Sequence, residues 1–258
     1  KDGGVSFLDT IKEAFQDVPP APVYTAPEKT AKGKVAFFPH GDWHFGSVVT
    51  EDAAGEAYDR KIATERLHSG FARCLAAIEP CETAIILNNG DLLHADLDDK
   101  DATPKHGHRL KVEGTSHENL RLSVLATIWM IDAALKKHGR VIYRANAGNH
   151  DLNVPSSLSL ALHYRYINEP RVTIEQSENK TWVFQQGNIF IAAHHGHGLN
   201  PAKFAPNLPA RFPKEFGAAK HWHYFSSHYH SAQDITVNGI RCIQLPAVCA
   251  IDGHGSEL

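Results

Sequence analysis

Five short polar clusters, each at the end of an apolar run, constrain this chain more than any other feature. "HGDWHFG" follows "VAFFP", "NNGDLLHAD" follows "AIIL", "AGNHD" follows "RVIYRAN", "HHGHG" follows "IFIAA", and "SSHYH" follows "HYF". Short apolar runs bounded by turn residues read as strands buried on both faces. Open α/β sheets bind ligands in the crevice beyond the carboxyl ends of their strands. Polar side chains gathered there add little to a core and have the position of a site.

Between the runs lie amphipathic stretches with helical spacing, at residues 56–79 and 116–138. The second starts with a capping-box pattern, Thr115 or Ser116 followed by Glu118 or Asn119, and carries an apolar stripe through Leu122, Leu125, Ile128, Trp129 and Leu135. A shorter helix is expected in "SLSLALHYRYI". After it the strands come closer together, "RVTIE", "TWVFQ", "IFIAA", "WHYFS", "QDITV" and "IRCIQL", with hairpin turns at Gly187-Asn188 and Asn238-Gly239. Strand–helix alternation followed by clustered strands predicts an α/β fold with mixed sheets covered by helices. Ahead of it, Phe7, Leu8, Ile11 and Phe15 recur at helical spacing, and Pro19, Pro20, Pro22 and Pro27 make an extended linker. Residues 1–33 are therefore expected to form a helix and linker, and residues 34–258 one domain.

Composition excludes several classes. No apolar run approaches the roughly 18 residues that span a bilayer, and the start lacks a signal-peptide pattern, so no membrane association is expected. The four cysteines, Cys74, Cys81, Cys242 and Cys249, never form CxxC, which points away from a disulfide scaffold or zinc ribbon and toward a reducing cytoplasm. With 26 basic and 29 acidic side chains, the formal charge of -3 gives no general attraction to nucleic acid.

The clusters themselves supply carboxylates, an amide and imidazoles. Residues two apart in extended chain point the same way, so Asp42 with His44, and His228 with His230, can each aim at one point. Gly90 lets the backbone turn so that Asp91 stands at a strand end. In a chain with 18 histidines a single HxH is ordinary. Five such clusters at strand ends supply the mixed oxygen and nitrogen set that suits manganese, iron or zinc better than calcium.

In this order, over residues 35–245, "GDWH", "GDLLH", "GNHD", "HHGH" and "SHYH" resemble the motifs D-x-H, GDxx(D/H/N), GNH(D/E), H and GHxH of the calcineurin-like metallophosphoesterases. The resemblance implies a four-layer α/β/β/α sandwich of two mixed β-sheets flanked by helices. It also implies two divalent ions, with manganese expected and iron or zinc as alternatives. Asp42, His44, Asp91 and His230 would hold one; Asp91, Asn149, His228 and His195 would hold the other, with His194 as the alternative in the fourth motif. His150 and His94 would be the catalytic histidines, His150 facing the phosphate as proton donor or charge stabiliser. The chain departs from the pattern at Ser227, where the family has Gly. It departs again at His94, where the phosphatase branch has Asp and the double-strand-break repair nucleases are closer.

The activity implied is hydrolysis of small phosphodiesters or phosphomonoesters by in-line attack of a metal-bridging hydroxide. The alternatives are a metal-dependent nuclease and, in a different class, a non-catalytic binding module. The Asp-rich loop after His94 would repel a polyanion, so nucleic acid is not the favoured substrate. That loop is expected to be solvated; the sharper alternative is a third metal near His94, Asp96, His106 and His108.

Overall fold

Along β1 (Ala31–His40), β2 (Cys81–Asn88) and β3 (Arg140–Ala145), successive side chains enter two different cores. Ala36, Phe38, Ala84, Ile86, Val141 and Tyr143 face one side; Val35, Phe37, Ile85, Leu87 and Ile142 face the other. This is the period of two that a strand imposes, with both faces buried. The computed structural model describes residues 21, 24–96 and 110–250. The helix expected near Phe7–Phe15 and most of the Asp-rich loop, with His106 and His108, lie outside the described residues.

With β4 (Val172–Glu175), these strands form a wholly parallel sheet in the order β1-β2-β3-β4. Its outer face is covered by α2 (Arg60–Ala77), α3 (Ser116–Leu135) and α4 (Val154–Arg165), each the crossover between consecutive strands, while α1 (Glu51–Ala54) is a single turn before α2. The second sheet is mixed, with β5 (Trp182–Gln186), β6 (Ile189–Ala193), β7 (His221–Ser226), β8 (Gln233–Val237) and β9 (Ile240–Gln244) in the order β5-β6-β7-β9-β8. Short helices α5 (Pro201–Phe204), α6 (Leu208–Arg211) and α7 (Pro213–Gly217) lie over its outer face, where Phe204 and Leu208 pack on Phe190, Tyr224 and Ile240. Between the sheets Ile85, Leu87 and Ile142 meet Trp182, Ile191 and Phe225. Three cores separate four layers, the expected α/β/β/α sandwich. The first sheet is parallel rather than mixed because a helix intervenes between every pair of its strands.

Several boundaries differ from expectation for local reasons. β1 begins at Ala31, inside the proline-rich stretch, because Ala31 pairs with Cys81 ahead of an irregularity before Val35. α2 starts at Arg60 rather than near 56: Gly55, in the left-handed region, ends α1, and the Asp59 side chain caps the new helix by accepting from Ile62 N–H. α3 has the predicted capping box between Thr115 and Glu118, but its buried face runs through Val124, Ile128, Ile131 and Leu135. Leu125 is one position off that face and is exposed. No helix among the described residues is long and apolar enough to cross a membrane.

Candidate metal centre

The site begins with backbone conformation. Six non-glycine residues have positive φ among the described residues, and five of them are Asp42 (52°), His44 (46°), Asp91 (52°), His228 (79°) and His230 (56°). Such conformations cost of order 1–3 kcal/mol each and persist where surrounding structure holds them. Here the loops after β1 and β2 run side by side: Asp42 N–H donates to Gly90 O at 3.0 Å, His44 N–H to Asp91 O at 3.0 Å and Phe45 N–H to Leu92 O at 2.8 Å. The His228 loop joins them, its N–H donating to Asp42 Oδ2 at 2.9 Å. Asp42 with His44, and His228 with His230, therefore do not converge through extended chain, as the spacing alone suggested. Left-handed turns aim them.

Two donor sets result. In the first, His44 Nε2 lies 3.3 Å from His230 Nε2 and 4.0 Å from Asp91 Oδ2, and His230 Nε2 lies 3.9 Å from Asp42 Oδ1. In the second, His195 Nε2 lies 3.0 Å from Asp91 Oδ2 and 3.1 Å from Asn149 Oδ1, with His228 beside them. Ligands of one tetrahedral ion with bonds of about 2.1 Å stand about 3.4 Å apart, so these separations suit a shared cation. Asp42 Oδ1 is buried with no hydrogen-bond partner among the described residues. An orphaned buried carboxylate oxygen facing imidazole nitrogens fits a role as a cation ligand.

The two histidines of the fourth motif point in opposite directions just beyond the end of β6. His195 turns into the cluster, its Nδ1–H donating to Asn89 O at 2.9 Å, which leaves Nε2 directed at Asp91. His194 turns the other way, accepts Gly196 N–H on Nδ1 and packs near Phe204.

The motif reading passed over the groups that hold Asp91 in place. Asp151 is fully buried and accepts backbone N–H bonds from Asp91, Leu92, Leu93 and Gly148 at 2.7–3.3 Å, tying the loops after β2 and β3 together. Asp91 Oδ1 accepts His150 N–H at 2.8 Å, which leaves Oδ2 for both donor sets. Gly148 permits this approach, since a Cβ there would fall 1.9 Å from Asp91 Oδ1. Asn89 accepts from Asn146 Nδ2 and donates to His194 O and Ser227 Oγ. Asp151 and Asn89 stand inside the quoted clusters. Their signal was a polar residue at a strand end with no other assignment.

Charge is distributed unevenly. Burial, and then the neighbouring histidines His150, His230 and His94, hold His44 well below the usual imidazole range; burial and then His195 bring His228 down to about 4. Burial pushes Asp42 up to about 7, with Asp91 adding to the rise. Burial works against the charged forms of His195 and Asp91 too, but their mutual attraction outweighs it, holding Asp91 well below the carboxylate range and raising His195 to about 9. At neutral pH His195 thus carries a proton that a cation at its Nε2 must displace. Below the raised value proton and cation compete, so Mn2+ affinity should rise about tenfold per pH unit toward that value. Equilibrium titrations across this range check it; an affinity independent of pH would remove His195 from the site.

The remaining predicted residues divide. His94 is buried, its Nδ1 3.2 Å from His44 Nδ1, and its carbonyl accepts the Nδ1–H of half-buried His150 at 2.7 Å. The His44, His94 and His150 rings form one cluster. Asp96 accepts from Asn153 and stands in no cluster of three potential ligands among the described residues.

The sandwich brings the five sequence clusters together beyond the ends of β1, β2, β3, β6 and β7. No protein-family model and no curated protein matches the sequence. Among solved structures, the chain is similar to a conserved uncharacterized protein from Streptococcus pneumoniae TIGR4, a predicted phosphoesterase (12% identity, 83% of this chain and 72% of that one, TM-score 0.36). It is also similar to the purple acid phosphatase PPD1 of yellow lupin (11% identity, 88% and 46%, TM-score 0.39). A third is Vps29 of Entamoeba histolytica complexed with zinc (15% identity, 83% and 74%, TM-score 0.31). At these identities and TM-scores the likenesses say nothing of what this chain does.

Proposed function

We propose that the chain is a dinuclear metal-dependent phosphoesterase acting on small phosphodiesters or phosphomonoesters. The observation that carries the reading is Asp91 Oδ2, which faces His44 Nε2 of one donor set and His195 Nε2 of the other. A carboxylate common to two donor sets is what a two-ion centre needs. Asp42, His44, Asp91 and His230 would hold one ion, and Asp91, Asn149, His195 and His228 the other. When bound, two divalent ions supply Lewis-acid charge to the phosphoryl oxygens and lower the pKa of the attacking water.

The chain's own residues do the rest. Because His150 Nδ1–H is committed to the His94 carbonyl, Nε2 is the atom left for substrate, and the imidazolium can pass its Nε2 proton to the departing oxygen. Buried His94 acts as a positioning residue: its ring braces His44 Nδ1 and its carbonyl orients His150. His150→Ala should keep its metal and lose about 10²–10⁴-fold in turnover on alkyl esters, and much less on nitrophenyl esters, whose leaving oxygen needs no proton. Turnover with both substrates and metal content check this; equal losses on both would point to charge stabilisation instead.

The net charge of -3 and the aspartates after His94 favour small substrates over a polyanion. The test compares a chromogenic diester and monoester with linear duplex and single-stranded DNA, with Mn2+ at low and moderate salt. Turnover of the small esters is expected. Efficient, salt-sensitive DNA cleavage with feeble ester turnover would make the chain a nuclease, and no hydrolysis by metal-loaded protein would make it a binding module.

A further inference from the structure

The cluster around His44 contains a side chain that none of the five motifs includes. Cys249 Sγ lies with ring nitrogens of His44 and His230 in a group of potential ligand atoms all within 4.8 Å of one another. The same two histidines belong to the first donor set, beside the orphaned, fully buried Asp42 Oδ1. We infer that Cys249 is a thiolate ligand of the ion held by Asp42, His44, Asp91 and His230, and that it biases this position toward thiophilic ions such as zinc, cobalt or ferrous iron over manganese. The inference rests on the two-ion reading above and adds to it the selectivity of one position.

Cys249 is held where it can do this. The N–H groups of Val248 and Cys249 both donate to Asp42 O at 3.3 Å, so the segment after β9 is tied to the backbone of a proposed ligand. On its far side Arg66 donates to Val248 O at 2.9 Å, Leu245 N–H donates to Ser226 O at 2.8 Å, and Ala250 is buried in the first core. The segment is anchored at both ends, with Cys249 between the anchors. Thiolate sulfur prefers zinc and other soft or borderline ions, whereas carboxylate and water suit manganese. On binding, the thiol proton leaves to solvent and sulfur donates the electron pair, with no change of oxidation state.

Cobalt substitution separates this inference from the reading beneath it. Co2+ added to metal-free protein should give visible ligand-field bands from the bound ion and, in addition, a near-ultraviolet sulfur-to-cobalt charge-transfer band. Cys249→Ser should abolish the charge-transfer band, keep the ligand-field bands, and weaken Zn2+ binding at least about tenfold more than Mn2+ binding. Ligand-field bands without a charge-transfer band in the unaltered chain would overturn the thiolate ligand and leave the two-ion reading standing. Absence of bound cobalt would overturn both. A measurement needing no variant is alkylation read by peptide mass: Zn2+ should protect Cys249 from iodoacetamide and leave exposed Cys74 reactive. Equal labelling of Cys249 with and without Zn2+ would also overturn the inference.

Discussion

Asp91→Asn should lower turnover by at least about 10³-fold and leave the protein with less than one tightly bound ion per chain. The amide keeps the shape of the carboxylate but not its charge. Both donor sets then lose their common anion, and His195 loses the partner that outweighs its burial. His230→Ala makes the informative contrast, since His230 belongs to the first set alone and its loss should reduce one ion while sparing the other. Elemental analysis of both variants, beside turnover of a chromogenic diester, reads the difference. If Asp91→Asn protein kept two ions and ordinary turnover, the shared-carboxylate account would fail.

The largest effect on stability is expected at Asp151, whose hydrogen bonds go to backbone N–H groups. Asp151→Ala strands four backbone N–H donors in a fully buried position. An unsatisfied buried donor costs about 1–3 kcal/mol, and partial relaxation makes the sum less than additive, so a loss of about 3–5 kcal/mol is expected. For a chain of this size that is a fall in Tm of roughly 10 °C. Asp151→Asn should cost less. Burial, and then Asp91, push the Asp151 carboxyl up to about 8, so an amide relieves that repulsion while its one oxygen still accepts two of the four N–H bonds. Thermal melts of the two variants give the ranking; an Ala variant as stable as the Asn variant would mean that the four bonds contribute little.

The strands of the α/β fold were legible because they obey simple rules, and their stacking into a four-layer sandwich was implied by the resemblance. "AIIL" and "IFIAA" are apolar at every position since one face of each meets helices and the other meets the opposite sheet, as Ile85 and Ile86, or Phe190 and Ile191, show. The seven proposed ligands were legible as residue types placed after strands. Their aim was not, because left-handed backbone at Asp42, His44, Asp91, His228 and His230 comes from pairing between loops distant in sequence, and no local pattern announces it. The stripe on α3 was misread by one position at Leu125, a leucine on the helix surface that periodicity alone cannot exclude. Asp151, inside GNHD, and Asn89 were visible but given no role, since hydrogen bonds that tie loops together cannot be read from residue type. Cys249 was discounted for lacking a CxxC partner, yet the fold supplies His230 from the loop after β7 and His44 from some two hundred residues earlier in the chain.

The most direct test of the two-ion account is a stoichiometric titration of metal-free protein with Mn2+, following hydrolysis of a chromogenic phosphodiester at each addition. The account predicts little turnover up to one ion per chain, a rise with the second, and a plateau at two. A plateau at one ion per chain, or turnover that needs no added metal in chelator-treated protein, would contradict it.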